Sequence, residues 1–237
     1  MIKTALALGR VSNLPTVWMN VLAASALTAG FYGFPIPVMG MLATMLAMSL
    51  FYAAGMCFND YCDRHWDAEH QPYRPIPAGK ISARKVLTLT LMLFSLGFAA
   101  LLLTPSNRGI IIAAALLALI LAYDLLHKKH WATVILMALT RLGVYLVAAY
   151  ALFGSAPTAV LVMGSIQCGY TLLVTVVARL ENSRPNGFGF PVIPWMIAAM
   201  GLVDGIALAI LLSPAWLLAG IATLLLTRWG QKYVRGD

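Results

Sequence analysis

The chain has 237 residues, of which 61% are apolar and only 10% are charged. A soluble domain carries roughly 25% charged residues, so the composition excludes an ordinary soluble protein and a disordered one. The net charge of +8 does not indicate a nucleic-acid binder, because long uncharged runs separate the basic residues. These runs lack the alternation of a membrane β-barrel. The sequence therefore predicts an all-α, polytopic membrane bundle.

Eight apolar segments are candidates for membrane-spanning helices, which need about 20 residues each. In chain order, we place them near 13–31, 37–58, 86–103, 109–126, 131–152, 157–179, 190–212 and 214–230. The first two fall in a stretch, 11–59, that contains no Asp, Glu, Lys or Arg. We interpret residues 1–237 as a single domain with eight spans, and nine spans are the alternative.

Basic residues are distributed unevenly between the two sides of this topology. Of the 16 Lys and Arg residues, Arg108 falls on one side, Arg141 lies inside the fifth span, and all the others fall on the opposite side. Lys and Arg concentrate on the cytoplasmic side of membrane proteins. We therefore expect both termini in the cytoplasm and a location in the bacterial inner membrane.

The polar segment after the second span contains half of the acidic residues of the chain. Asn59, Asp63 and Asp67 are spaced i, i+4, i+8, so that on a helix they share one face. Oxygen-bearing side chains on one face suit Mg²⁺, which takes carboxylate oxygens together with substrate phosphate. A solvated loop whose acids pair with neighbouring basic residues is the alternative that the spacing leaves open.

The next segment, 74–82, is rich in proline and carries two cations. It reads Arg74-Pro75-Ile76-Pro77-Ala78-Gly79-Lys80-Ile81-Ser82. Basic side chains a few residues from an acidic metal face suit a diphosphate, because the metal bridges some of its oxygens while Arg or Lys holds others. The two segments together favour the metal site over the solvated loop.

The pattern Asn-Asp-x-x-Asp-x-x-x-Asp at 59–67, followed by Arg-Pro-Ile-Pro-Ala-Gly-Lys at 74–80, resembles the first signature of the UbiA superfamily of intramembrane prenyltransferases. The resemblance covers nearly the whole chain, because four spans separate this motif from a second polar segment, as in the family. It implies a helical bundle around a central cavity. It also implies an isoprenyl diphosphate bound with Mg²⁺ and transfer of the prenyl group to a small acceptor within the membrane.

The resemblance also implies roles for individual residues outside the first metal motif. Arg10 matches a family arginine that faces the diphosphate, as do Arg74 and Lys80 in the loop after the motif. Tyr123 and Lys128 resemble a Tyr-x-x-x-x-Lys element of the family, although Lys128 is equally consistent with an ordinary cytoplasmic-side cation.

A charged pair inside the predicted spans is open to two interpretations. Intramembrane charges face the protein interior and pair there. Arg141 either orients the acceptor or forms a structural pair with Asp204, and we regard Asp204 as structural.

The second polar segment departs from the family pattern. Glu181 falls at the first of two aspartate positions and Pro185 at the second, so one acid is missing. Arg179 and Arg184 stand nearby and either hold the diphosphate directly or are ordinary cytoplasmic-side cations. The alternative to an enzyme is a non-catalytic protein that binds or moves a lipid or isoprenoid. The segment 179–182 in so short a chain resembles the EboC-like branch, which implies a small polar acceptor.

Overall fold

The computed structural model of the chain describes residues 2–128, 130–182, 184 and 188–234. These residues form helices and turns, with no strand among them. The helices, in chain order, are α1 (Ile2–Leu8), α2 (Leu14–Tyr32), α3 (Val38–His70), α4 (Ala83–Leu101), α5 (Arg108–Leu126), α6 (Val134–Phe153), α7 (Thr158–Asn182), α8 (Val192–Leu211) and α9 (Trp216–Gln231). Short 3₁₀ turns at Val11–Asn13 and Trp131–Thr133 precede α2 and α6.

Helices α2–α9 correspond to the eight predicted spans. By length and composition, 7 of them are able to cross a membrane, whereas α9 is shorter, with 16 residues. The structure confirms an all-α bundle, and the chain is an integral, multi-pass membrane protein. Gln231 at the end of α9 donates a hydrogen bond to Asn13 Oδ1 at 3.3 Å. The last helix therefore returns to the end of the bundle at which α2 begins.

The second predicted span differs most from the observed helix. It ends near residue 58 in the sequence-based assignment, whereas α3 continues through the acidic segment to His70. The predicted boundary is wrong because hydropathy marks only the end of the apolar stretch, not the end of the helix. The structure buries Asn59, Asp63 and Asp67 on one side of α3, while Glu69 is exposed. The extra turns thus keep these acids on a buried helical face. This observation disfavours the alternative in which the segment is a solvated loop.

Helix α2 is the centre of the bundle. It packs against α3, α6, α7, α8 and α9. Of its 19 residues, 12 are buried, and many are Ala, Ser or Thr. Small side chains let neighbouring helices approach closely, which favours packing inside a membrane. The outer helices expose large apolar side chains to the lipid: Leu91, Ile111, Leu125, Ile210, Leu218 and Leu225.

The loop between α3 and α4 is held in a fixed shape. Gly79 has φ +69°, a left-handed conformation that glycine adopts at little cost. The turn is closed by a hydrogen bond from Lys80 N to Pro75 O at 3.0 Å. Ile76 and Ile81 pack on a small apolar cluster formed by α1, α3 and α4. This anchoring fixes the start of the loop beside the end of α3.

Two open cavities, each with a volume of about 480 Å³, lie at the end of the bundle opposite the acidic end of α3. Their walls come from the α2–α3 turn, the α4–α5 turn and the end of α6. Neither borders the acidic end of α3. The central cavity that the resemblance implies therefore stays a prediction.

Candidate active site

Arg74 joins two of the buried acids of α3. Its Nη1 atom lies 2.9 Å from Asp60 Oδ1 and 3.2 Å from Asp67 Oδ2. Arg10 reaches the same oxygen of Asp60, with Nη2 3.7 Å from Oδ1. Arg10 has φ 42°, a left-handed conformation that is uncommon for a residue other than glycine. The chain therefore turns sharply between α1 and α2 at the residue that contacts Asp60.

Asp63 is paired with the basic residues that follow α5. His127 Nε2 lies 3.1 Å from its carboxylate, and Lys128 Nζ lies 3.5 Å from Oδ2. Lys128 also stands 3.7 Å above the ring of Trp66, a cation–π contact. Burial opposes charging of His127, but the hydrogen bond to Asp63 and its negative charge outweigh burial and raise the pKa of His127. The ring accordingly faces two acceptors, Asp63 and the Asp124 carbonyl.

The first residue of the motif contacts a fourth carboxylate. Asn59 Nδ2 donates to Asp124 Oδ1 at 3.1 Å, which links α3 to the last turn of α5. Beside Asp124, the ring of Tyr123 stacks on His127 at a centroid distance of 5.0 Å. Sequence reasoning missed Asp124 and His127 as members of the site. A signal was present in the sequence, because Asp124 is a lone acid at the end of an apolar helix.

The carboxylates around the acidic end of α3 suit a hard divalent cation. Asp67 Oδ1 and Asp124 Oδ2 are both buried and accept no hydrogen bond from the described residues. Buried carboxylate oxygens without partners are costly, so these two atoms are available to a cation. No three His, Cys, Asp or Glu side chains in the described part of the chain converge closely enough to hold a metal alone. The Asn59 amide or the substrate would have to complete the shell.

The structure leaves the predicted roles in the second polar segment open. Glu181 Oε1 accepts a hydrogen bond from Phe188 N at 3.4 Å, and Arg184 lies 4.8 Å from the Phe188 ring. Arg179 Nη1 donates to Trp131 O at 3.3 Å. The approach of Glu181 to the acidic face of α3 stays a prediction.

Three further predictions concern residues at the margins of the site. Pro185 and the side chain of Asn182 lie outside the described residues. Lys80 is exposed, and its side chain forms no ion pair with any described acid. Its part in binding a diphosphate stays a prediction.

Arg141 and Asp204 belong to a second buried cluster, deeper in the bundle. Arg141 Nη1 donates to Asn20 Oδ1 at 2.9 Å, and Asn20 Nδ2 donates to Asp204 Oδ2 at 2.7 Å. Tyr145 and Gln167 donate to the other carboxylate oxygen of Asp204. The predicted Arg141–Asp204 pair is therefore indirect, with Asn20 as the bridge.

The fold and the site together define a multi-pass membrane protein with a buried face of acids, surrounded by basic side chains, at one end of its bundle. The model of the UbiA prenyltransferase family matches residues 13–234. The chain belongs to this family. Prenyltransferases of the family generally use divalent metal ions, which agrees with the oxygen donors found here.

Several curated proteins are similar to parts of this chain. Digeranylgeranylglyceryl phosphate synthase of Saccharolobus solfataricus is 28% identical over 145 residues, 61% of this chain and 50% of the relative. 4-Hydroxybenzoate octaprenyltransferase of Aeromonas hydrophila is 35% identical over 107 residues, 44% and 34% of the two chains. Chloroplastic chlorophyll synthase of Arabidopsis thaliana is 27% identical over 211 residues, 80% and 54%. The chain thus spans about half, or less, of the length of these relatives.

Two solved structures share the fold. One, from work on digeranylgeranylglyceryl phosphate synthase in membranes, superimposes with a TM-score of 0.65 at 17% identity, over 99% of this chain and 96% of the other. An apo structure of a UbiA homologue from Aeropyrum pernix K1 gives a TM-score of 0.58 at 17% identity, over 94% of both chains. At this identity the likeness concerns the fold alone.

Proposed function

We propose that this chain transfers a prenyl group from an isoprenyl diphosphate to a small acceptor within the membrane, with Mg²⁺ as its cofactor. The observation that carries this proposal is the buried face of Asn59, Asp63 and Asp67, with basic side chains around it, in a UbiA-family bundle. The names of the relatives support the same reaction class.

The basic residues of the site bind the diphosphate in this proposal. In the structure, Arg10, Arg74 and Lys128 contact carboxylates. A diphosphate carries more negative charge than a carboxylate, so it would be a stronger acceptor for the same three side chains. The planar guanidinium of Arg74 already holds two carboxylates with one nitrogen, and its fork matches phosphate oxygens well. Lys80, Arg179 and Arg184 add positive charge at the edge of the site.

The acidic residues hold the metal in this proposal. Asn59, Asp63 and Asp67, with Glu181 from the second segment, would supply its protein ligands. Mg²⁺, when bound, stabilises the negative charge that develops on the leaving diphosphate.

The reaction itself breaks the bond between C1 of the prenyl group and the diphosphate oxygen. The electron pair leaves with the diphosphate, the acceptor forms a new bond to C1, and the acceptor releases a proton. Arg10, Arg74 and Lys128 stabilise the departing anion by charge and hydrogen bonds. The apolar bundle excludes water, which would otherwise capture the allylic cation.

The acceptor is proposed to bind further into the bundle. Tyr123 lies next to the basic residues after α5, and the Arg141 guanidinium is fixed by Asn20. These two side chains offer a hydroxyl and a cation to a small polar molecule. The isoprenoid chain enters from the lipid.

Both termini are proposed to be cytoplasmic, in a bacterial inner membrane. The contacts Arg10–Asp60 and Gln231–Asn13 support this arrangement, because they place both ends of the described chain beside the site.

Transfer in proteoliposomes tests the proposal. Radiolabelled geranylgeranyl diphosphate is supplied with a panel of small hydroxyl- and carboxyl-bearing acceptors, in Mg²⁺ or in EDTA. We expect the wild type to form a labelled lipid product in Mg²⁺ but not in EDTA. Asp63→Ala should lose this product, and Glu69→Ala should retain it. Glu69 is a matched control, because it is an exposed acid on the same helix. Full activity of Asp63→Ala would refute the assignment.

A non-catalytic binding protein is the second candidate. Pro185 at the position of a family aspartate favours it. In that case the wild-type chain binds a prenyl diphosphate but consumes none with any acceptor of the panel.

A further inference from the structure

Asp124 is placed where a carboxylate can act on the same ligand as the first motif. It lies in the last turn of α5, is 5% exposed, and faces α3 across the hydrogen bond to Asn59. We propose that Asp124 is a further ligand of the divalent cation and supplies the carboxylate that the second polar segment lacks. This inference rests on the proposed function, because it concerns the metal of the same site.

The first argument is the unpartnered oxygen of Asp124. Oδ1 accepts the Asn59 amide, whereas Oδ2 is buried and accepts no hydrogen bond from the described residues. Buried polar atoms in folded proteins nearly always have partners, so an exception points to a ligand or an ion. Of the five side-chain atoms of this kind in the described residues, two belong to carboxylates, Asp124 Oδ2 and Asp67 Oδ1.

The second argument is the distribution of charge. Asp60 contacts Arg10 and Arg74, Asp67 contacts Arg74, and Asp63 contacts His127 and Lys128. No basic side chain of the described residues lies within ion-pairing distance of Asp124, whose contact at Oδ1 is a neutral amide. A buried carboxylate without a cation is unfavourable. His127 and Arg10 lie near enough to act on Asp124 only at longer range, and a bound divalent cation would supply a direct ion-pair partner.

The third argument is the count of acids available to the metal. The second polar segment carries Glu181 and, four residues later, Pro185 in place of a second acid. Asp124 adds one carboxylate from α5, next to the first residue of the motif. Asp124 therefore replaces, in number, the acid that is missing at Pro185.

The competing explanation is a neutral hydrogen-bonded link between α3 and α5. In that case, Asp124 would act only as an acceptor for Asn59, and an asparagine would serve as well. Asp124→Asn separates the two explanations, because it keeps the shape and the acceptor and removes the charge. Asp124→Ser removes the carboxylate in a smaller side chain and gives a second, independent result if the first variant folds poorly.

The experiment measures Mn²⁺ binding to the purified full chain in detergent, by electron paramagnetic resonance, with and without inorganic pyrophosphate. Asp204→Asn is the matched control, because Asp204 is also buried and also bonded to an asparagine amide, yet lies in the deeper cluster. We expect Asp124→Asn and Asp124→Ser to weaken Mn²⁺ binding about tenfold or more, a loss of the size seen for residues around metal sites. Asp204→Asn should match the wild type.

A charge swap completes the test. Asn59→Asp combined with Asp124→Asn moves the carboxylate to the other side of the same hydrogen bond and should restore most of the affinity. If Asp124→Asn and Asp124→Ser both bind Mn²⁺ as tightly as the wild type, the role of Asp124 is refuted and the proposed function stands. If the wild type binds no Mn²⁺ even with pyrophosphate, both the role of Asp124 and the Mg²⁺-dependent function are refuted.

Discussion

The chain contains two buried clusters of polar side chains, and they differ in how their carboxylates are satisfied. In the deep cluster, both oxygens of Asp204 accept hydrogen bonds, from Asn20, Tyr145 and Gln167. At the acidic site, Asp67 on α3 and Asp124 on α5 each keep one buried oxygen without a hydrogen-bond partner among the described residues. The deep carboxylate is complete within the protein, whereas the acidic face of α3 has capacity left for a ligand.

The difference also separates structural from functional charge. Asp204 binds neutral donors, and these fix α2, α6, α7 and α8 together in the centre of the bundle. The acids of α3 are bound mainly by Arg and Lys, which a diphosphate can take over. Gln167 Oε1 in the deep cluster also lacks a partner among the described residues, so the ligand site is marked by unpartnered carboxylate oxygens beside exchangeable cations rather than by intramembrane charge or by any unpartnered atom.

The largest expected effect is on catalysis, at the acidic face. Asp67→Asn should reduce prenyl transfer about a hundredfold or more, because it removes charge from the proposed metal face. Its thermal unfolding midpoint should stay close to that of the wild type, since Asp67 is already incompletely satisfied and Arg74 keeps Asp60 as a partner. Transfer assays and thermal melts check both parts. A large fall in the melting temperature would mean that Asp67 is structural.

The deep cluster should respond in the opposite way. Asp204→Ala removes the acceptor of three buried hydrogen bonds, although Asn20 and Gln167 each keep one other acceptor. We expect it to lower the free energy of unfolding by about 2 kcal/mol. Denaturation in detergent measures this loss. The fraction that remains folded should bind a prenyl diphosphate as the wild type does. Unchanged stability together with lost binding would reverse the comparison between the two clusters.

A smaller effect is expected at the arginine that joins two acids. Arg74→Lys keeps the charge but replaces the planar fork, and we expect prenyl diphosphate affinity to fall about tenfold. Arg64→Lys is the matched control, because Arg64 lies over the Tyr61 ring and bonds to the Tyr61 carbonyl. Isothermal titration with a non-cleavable prenyl thiodiphosphate measures both. Equal losses in the two variants would show that Arg74 has no special role.

The smallest effect is expected in the second polar segment. Arg184→Ala and Arg179→Ala should each weaken prenyl diphosphate binding by about threefold if these side chains compensate for the missing acid by holding the diphosphate directly. Restoring the acid with Pro185→Asp in the Arg184→Ala background should recover part of the binding and make it more dependent on Mg²⁺. Unchanged binding in both single variants would refute the compensation hypothesis.

The sequence was sufficient to predict features that depend on local spacing. The i, i+4, i+8 pattern predicts the shared face of Asn59, Asp63 and Asp67, and the structure confirms that α3 buries these three residues. The bundle and the apolar segments follow from hydropathy in the same way. The family resemblance is likewise carried by a short local motif, and the family match confirms it.

Contacts between distant segments could not be predicted. The hydrogen bond between Asn59 and Asp124 joins residues 65 positions apart, and the pairing of Asp63 with His127 depends on where α5 ends beside α3. The end of α3 was placed too early because partners from other segments, Arg74 and His127, stabilise the helix beyond its apolar part. A single sequence contains no direct information on such partners.

The location of a bound metal tests the central claim most directly. A structure of the chain with Mn²⁺ and a non-cleavable prenyl thiodiphosphate, with the metal identified by its anomalous signal, would provide it. We predict Mn²⁺ within about 2.5 Å of an oxygen of Asp63 or Asp67, with the diphosphate in contact with Arg74. A metal and diphosphate bound away from this end of α3 would contradict the account.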